Sequence, residues 1–147
     1  MSSFEASVDL WYHLSQDVSV TTWVDTYLGS PAIFTSLPEN LPDRYVYVPS
    51  PHTTLDASCK NDDTESSEQF RDIIVATKRT WNPVIGAMSG VEILASAVRV
   101  SLHRQEINNN PGGVPRKIEI IEALPSVMQD NETYFGRLIE TRLIVRR

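Results

Sequence analysis

The stretch that most constrains this chain runs from Gln69 to Leu124. An extended segment, Phe70 to Thr80, leads through Asn82-Pro83 into a helix over about residues 83–104. A polar turn cluster, Asn108-Asn109-Asn110-Pro111-Gly112-Gly113, gives way to a second extended segment, Lys117 to Leu124. Met88, Val91, Ala95, Val98 and Leu102 recur at steps of three and four, which places them on one helical stripe. Glu92, Ser96, Arg99 and His103 lie off that stripe and can stay wet. The Asn82 side chain can accept an orphan amide hydrogen bond, and Pro83 at the first helical position sacrifices no intrahelical bond. Gly86 and Gly90 each weaken such a helix by about 1 kcal/mol relative to alanine. Their presence fits a close approach of the helix axis to whatever it covers. In the preceding strand, Ile73, Val75 and Thr77 share one face, and Phe70, Ile74 and Ala76 the other. Apolar side chains on both faces predict a central strand, with Trp81 packed at the strand–helix corner.

The flanking regions read as follows. Residues 4–28 predict a helical pair with a kink near Gln16–Val18. Phe4, Val8 and Trp11 fall on one face of the first helix, with Leu10 and Leu14 beside it. Asp17 and Ser19 offer caps for the second helix, where Val20, Trp23, Val24, Tyr27 and Leu28 form an amphipathic stripe ended by Gly29 and Pro31. Between Pro31 and Pro51, prolines bracket two short apolar pieces, Ala32–Thr35 and Arg44–Val48. Their placement suits an edge strand or a strand terminus. Residues 52–68 are polar, acidic and aperiodic, and predict a mobile loop or a long hairpin tip. At the C-terminal end, Ile118, Ile120 and Leu124 share one side of a strand. Ile139, Thr141, Leu143 and Val145 share the inner side of the last, and Gln129–Glu132 is the natural tip between these antiparallel neighbours. The expected architecture is α+β and a single domain over 1–147. Within 32–147 it has a mixed, mainly antiparallel sheet of about four to five strands, packed against the long helix and the N-terminal helical pair.

At 147 residues the chain can bury a core without staples. No apolar run approaches the roughly 18 residues that span a bilayer, so no membrane partner is expected. No basic patch precedes an apolar core at the N-terminus, so a secretory leader is not expected, and Asn131-Glu132-Thr133 is then a coincidental glycosylation pattern. Cys59 is the single cysteine, which rules out an internal disulfide. The net charge of −6 hides an asymmetry. Residues 1–70 hold eleven acidic residues against Arg44 and Lys60, a balance of −9, whereas residues 71–147 hold eleven basic and eight acidic ones, a balance of +3. One reading is two differently solvated parts of a domain. The sharper reading is a subunit with acidic and basic faces, suited to head-to-tail contacts that close a ring. General nucleic-acid binding is disfavoured, because phosphate neutralisation needs a basic surface.

Candidate chemistry is thin. His52, Asp56 and Cys59 fall within eight residues, and a small hydrolase or metal-dependent enzyme using them is the alternative from another functional class. Their spacing matches no nucleophilic motif, and an acid-rich loop is a poor frame for catalysis or a metal. His13 and His103 read as structural, His103 as a cation at a helix C-terminus. The pairs Asp62/Asp63 and Glu119/Glu122 read as solvated carboxylates. Asn-Pro-Gly-Gly lacks the lysine and spacing of a phosphate loop. Arg137, Arg142, Arg146 and Arg147 form a basic ladder, readable as an exposed strand face or as a dock for the acidic residues Asp62, Asp63, Glu65 and Glu68 of another subunit. No catalytic residue, cofactor or metal is expected.

The order of elements resembles the tail-terminator (tail completion, or head–tail joining) proteins of long-tailed bacteriophages. The N-terminal helix and short glycine-ended helix correspond to "VSVTTWVDTYLG" followed by "SPAIF", and the proline-flanked strand to "LPDRYVYVP" before an acidic hairpin. The strand feeding the long helix is "FRDIIVATKRTWNPVIGAMSGVEILASAVRVSLH", and the closing hairpin with its aromatics is "ETYFGRLIETRLIV". The resemblance is one of element pattern over most of the chain. It implies a non-enzymatic virion protein, assembled in the host cytoplasm as a homo-oligomeric, commonly hexameric ring in the tail-neck region. Such a ring caps the tail tube, stops its polymerisation and meets the head connector or head-closure protein, while DNA passes through the lumen without specific binding. Asp62 to Glu68 are candidates for an acidic lumen lining. The alternative within the same class is a neighbouring neck or tail subunit, a head-closure or tail-tube protein.

Overall fold

The computed structural model describes residues 3–58, 65–81, 83, 86, 88–107, 117–128 and 130–146. Helix α1 (Ser3–Gln16) and the single turn α2 (Val18–Thr21) meet at Asp17, whose carboxylate accepts the Ser19 amide at 2.9 Å. That bond satisfies an orphan donor and fixes the break between the helices. Ala6, Leu10 and Leu14 are the fully buried ridge of α1, while Val8 and Trp11 are half-buried. The core face is therefore rotated toward Leu10 and Leu14 from the face expected.

The second helix predicted to reach Leu28 is corrected. After α2 the chain makes a small hairpin, β1 (Thr26–Tyr27) paired with β2 (Ser30–Pro31), around Leu28 at φ 50° and Gly29 at φ 84°. Two successive left-handed residues match the twist of paired strands and are incompatible with a right-handed helix. Val20 and Val24 remain buried, but Leu28 is 90% exposed.

Among the described residues a larger sheet has seven strands rather than four or five. In chain order these are β3 (Ile33–Phe34), β4 (Arg44–Tyr47), β5 (Thr53–Ser58), β6 (Glu65–Lys78), β7 (Glu106–Ile107), β8 (Lys117–Met128) and β9 (Tyr134–Arg146), with helix α3 (Gly90–Leu102) between β6 and β7. Their spatial order is β3-β4-β6-β9-β8-β7, and β5 also pairs with β6. Among the described residues only the β3–β4 pairing is parallel. Strand β6 is central as predicted, running against β9 from Ser66↔Arg146 to Lys78↔Tyr134. Its other side is shared by β4 and β5, which Pro49 and Pro51 divide, since proline has no amide proton for the ladder. In the 52–68 segment the described residues follow the hairpin alternative: β5 pairs antiparallel with the start of β6 from Thr53↔Phe70 to Ser58↔Glu65, and residues 59–64 lie outside the described residues.

The long helix is shorter than predicted and starts later. Gly86 at φ 62° and extended backbone at Ser89 interrupt the run, and Met88 stands outside the helix, 37% exposed. The start is set by Ser89-Gly90-Val91-Glu92: the Glu92 carboxylate accepts the Ser89 amide at 3.3 Å, one arm of a capping box. The predicted cap, Asn82, lies outside the described residues. Val91, Ala95, Val98 and Leu102 are buried as predicted, together with Leu94. A Cβ on Gly90 would sit 2.7 Å from Trp81 Cζ3, so the expected close approach occurs at this glycine and at that corner.

Helix α3 packs on β6, β8 and β9, while α1 touches both β3 and β7, the opposite edges of the sheet. The sheet therefore curls around its helices, burying Ile73, Val75, Ile118, Ile120, Ile139, Leu143 and Val145 on the inner face. Each such side chain contributes about 1.5–3 kcal/mol of burial. In β8 the register shifts between Ile120 and Glu122. The inward position then passes to Ala123, and Leu124, expected inside, is 39% exposed.

Candidate functional site

The face of the sheet opposite the helices alternates apolar and charged side chains. Tyr47, Phe70, Ile74, Leu138 and Ile144 are half-buried there. Around them Arg142 Nε donates to Glu68 Oε1 at 2.5 Å, Arg146 Nη1 donates to Glu119 Oε2 at 2.6 Å, and Lys78 stands 3.4 Å from Asp43. A shallow cleft of about 280 Å³ is bordered by His52, Phe70, Asp72, Glu122, Glu140 and Arg142. Half-buried apolar groups framed by ion pairs form a surface suited to packing against another protein.

The sequence-derived site residues are dispersed by the fold. Glu68 and Arg142 come together, but within one chain. Arg137 Nη2 reaches Glu92 at 3.3 Å and Nη1 lies 4.0 Å from Asp130, on the helix side of the sheet. The expected basic ladder is thus corrected: Arg137, Arg142 and Arg146 each already have an acidic partner in the same chain, and Arg137 faces the opposite way from the other two. Asp62 and Asp63 lie outside the described residues, and Glu65 is placed only by its backbone, opposite Ser58. Of the alternative catalytic set, Asp56 lies in β5 opposite Ser67, Cys59 lies outside the described residues, and His52 Nε2 stands 3.5 Å from Asp72.

The other two histidines are structural. His13 Nε2 is 3.0 Å from the Ser101 carbonyl and 3.2 Å from its hydroxyl, which ties α1 to the end of α3. His103 Nδ1 accepts the Ala123 amide at 3.1 Å, beside the β8 bulge. That role as acceptor replaces the expected role of a cation at the helix end. Among the described residues no group of three or more histidine, cysteine, aspartate or glutamate side chains is placed to hold a metal, and no helix is long and apolar enough to cross a membrane.

Sequence reading missed the buried Arg71. Its guanidinium donates to Gln69 Oε1 at 2.8 and 3.1 Å, to Ser7 Oγ at 2.5 Å and to the Pro49 carbonyl at 2.6 Å. These bonds pin α1 and the proline-divided edge to β6, and burial pulls the guanidinium down to about 10. The signal was present, since Arg71 shares the inner parity of Ile73 and Val75. A second omission is a groove of about 430 Å³ between α3 and the bulged end of β8, lined by Glu92, Ala95, Arg99, Leu124, Pro125 and Arg137.

No family model matches this chain. No curated relative matches it either. Among solved structures, a chain of the "Virion of native gene transfer agent (GTA) particle" is similar, with a TM-score of 0.64 and 16% identity, over 99% of this chain and 97% of that chain. At this identity the likeness is one of fold, and it runs from end to end of both chains.

Proposed function

We propose that this chain is a structural subunit of a phage-like virion, and specifically a tail terminator. It forms a ring in the tail-neck region that caps the tail tube, ends its polymerisation and offers its far surface to the head connector or head-closure protein. The observation that carries the reading is the end-to-end fold likeness to a chain of a gene transfer agent virion.

Two further features support it. The sheet face opposite the helices leaves Phe70, Ile74, Leu138 and Ile144 half-exposed in the isolated subunit, which favours association. The net charge of −6 suits a conduit through which DNA slides without being held. No catalytic role is needed: the work is done by the shape and charge of the subunit's surfaces.

The test is to add the purified chain to its cognate tail-tube protein during polymerisation and follow tube length by electron microscopy. A terminator halts elongation and appears as a cap at one end. A tube subunit would itself polymerise into open tubes, and a head-closure protein would leave elongation unchanged; either outcome overturns the terminator assignment.

A further inference from the structure

We infer that the β1–β2 turn of one copy seats its leucine, Leu28, in the groove between α2 and α3 of the next copy. This contact repeats around the ring proposed above, on which the inference rests. Leu28 is 90% exposed, the most exposed large apolar side chain among the described residues, and it holds φ 50°. With Gly29 at φ 84° it fills a two-residue turn whose first position favours asparagine or glycine. Neither the turn nor contact with water favours a leucine there. A backbone outlier that the fold does not require points to a function for the residue that bears it.

The turn is held rigidly. Tyr27 packs edge-on against Phe34, with centroids 5.3 Å apart. At the root of the hairpin the Ala32 amide donates to the Asp25 carbonyl at 2.8 Å, and the Asp25 amide to the Arg44 carbonyl at 3.1 Å. A knob fixed in advance loses little freedom when it docks.

The seat is a groove of about 610 Å³ on the helix side, with Trp23, Met88, Ile93, Ala97 and Val100 as its apolar lining. Ile93, Ala97 and Val100 follow steps of four and three along α3, on the side opposite its core stripe of Val91, Ala95, Val98 and Leu102. A helix apolar on both sides is normally covered on both. Here Val100 is left 65% exposed and Met88 37%. Asp17, which also lines the groove, already accepts the Ser19 amide.

Charge and symmetry select a second copy as the occupant. Each copy carries −6, so copies repel one another and meet best where charge is absent. Residues 26–38 hold no charged residue. A ring of identical copies also needs two unlike patches that fit each other, one for each neighbour. A projecting apolar knob and a concave apolar groove supply them. The exposure of Leu28 shows that a chain's own groove does not hold it.

The test is a double-mutant cycle of Leu28→Asn and Val100→Gln, with oligomer dissociation followed by mass photometry over a dilution series. Both positions are exposed, and Leu28→Asn suits the turn, so the dissociated variants are expected to keep wild-type thermal stability. Each is expected to weaken the oligomer by at least about tenfold, and the double variant little more than either alone, because one contact is lost once. An oligomer indifferent to either substitution, or losses that multiply in the double variant, overturns the knob-in-groove contact and leaves the ring intact. Leu28→Asn rings that form normally but no longer seat on tubes would place the knob against tube protein and overturn it equally. A wild-type chain that stays monomeric with and without tube protein ends the ring reading and this contact with it.

Discussion

Arg142 Nε donates to Glu68 Oε1 at 2.5 Å across the β6–β9 ladder, within one chain. Glu68 is in register with Ile144 and Phe70 with Arg142, so the pair is diagonal. The side chains are 43% and 27% exposed, which keeps their coupling modest. A double-mutant cycle of Glu68→Ala and Arg142→Ala, read by urea unfolding at low protein concentration, is expected to give about 0.5–1 kcal/mol, falling as salt is raised. Coupling that emerges only at concentrations where the chain associates would assign the pair to a subunit contact instead.

Gly90 is the position where α3 comes nearest the strand–helix corner. An alanine Cβ would meet Trp81 Cζ3 at 2.7 Å, Trp81 Cε3 at 2.9 Å and Pro83 Cδ at 3.0 Å, all parts of rigid rings. Trp81 is held further by the Arg44 guanidinium, 4.7 Å from its ring centroid, and by Trp23. Gly90→Ala is therefore expected to destabilise by about 1–3 kcal/mol from overpacking, despite a helix-propensity gain of up to about 1 kcal/mol. Trp fluorescence should shift with it. Equal or greater stability would mean the corner can relax.

The β1–β2 turn carries a leucine where asparagine is intrinsically better. Leu28 holds φ 50° at 90% exposure, next to Gly29 at φ 84°. Leu28→Asn is expected to leave the chain unchanged or stabilise it by up to about 1 kcal/mol, and Gly29→Ala to destabilise it by about 1 kcal/mol. Thermal unfolding of the two variants checks both signs. A clear loss of stability in Leu28→Asn would contradict this turn geometry.

Tyr45 and Tyr134 make an edge-on ring pair with centroids 5.7 Å apart, and Tyr134 Oη donates to the Pro42 carbonyl at 2.9 Å. Burial raises Tyr45 above its ordinary value, with Tyr134 adding to the effect. Tyr134 is raised mainly by burial; Lys78 acts against the shift, and Asp43 and Asp25 act with it. The folded state thus keeps phenol protons that the unfolded chain releases. The stability this contributes is complete below the unfolded value of 10 and is lost as the pH climbs past it. Arg71 works in the opposite sense above about 10, because the folded state sheds its proton first. Comparing wild type with Tyr134→Phe isolates the tyrosine part. The variant should lose about 1 kcal/mol at neutral pH and decline less steeply above pH 10. Parallel alkaline slopes would refute the assignment.

Much of the fold was legible because burial follows period. The 3.6-residue stripe from Val91 to Leu102 and the two-residue alternation of Ile73, Val75 and Ile139 to Val145 needed no tertiary information. The failures were local. Leu28-Gly29 forms a left-handed turn that helical periodicity overrides on paper, and the true helix start was written in Ser89 and Glu92 but masked by Asn82-Pro83. The acidic 52–68 segment has no apolar alternation, and its described residues are strands because they pair with neighbouring chain, β5 with β6 and the start of β6 with β9. The surface was least legible. Glu68 and Arg142 are both ordinary charged residues, and only the β6–β9 register reveals that they satisfy each other. Arg99 could not be singled out from other helix-face cations until the β8 bulge turned Leu124 outward beside it.

The most direct measurement is the mass of the purified chain in solution, by mass photometry or light scattering, alone and with tail-tube protein, with negative-stain images of the same samples. The account predicts closed rings of fixed stoichiometry, about six chain masses, free in solution or seated on tube ends. A chain that remains a monomer in both conditions, or that grows into open-ended filaments, would contradict it.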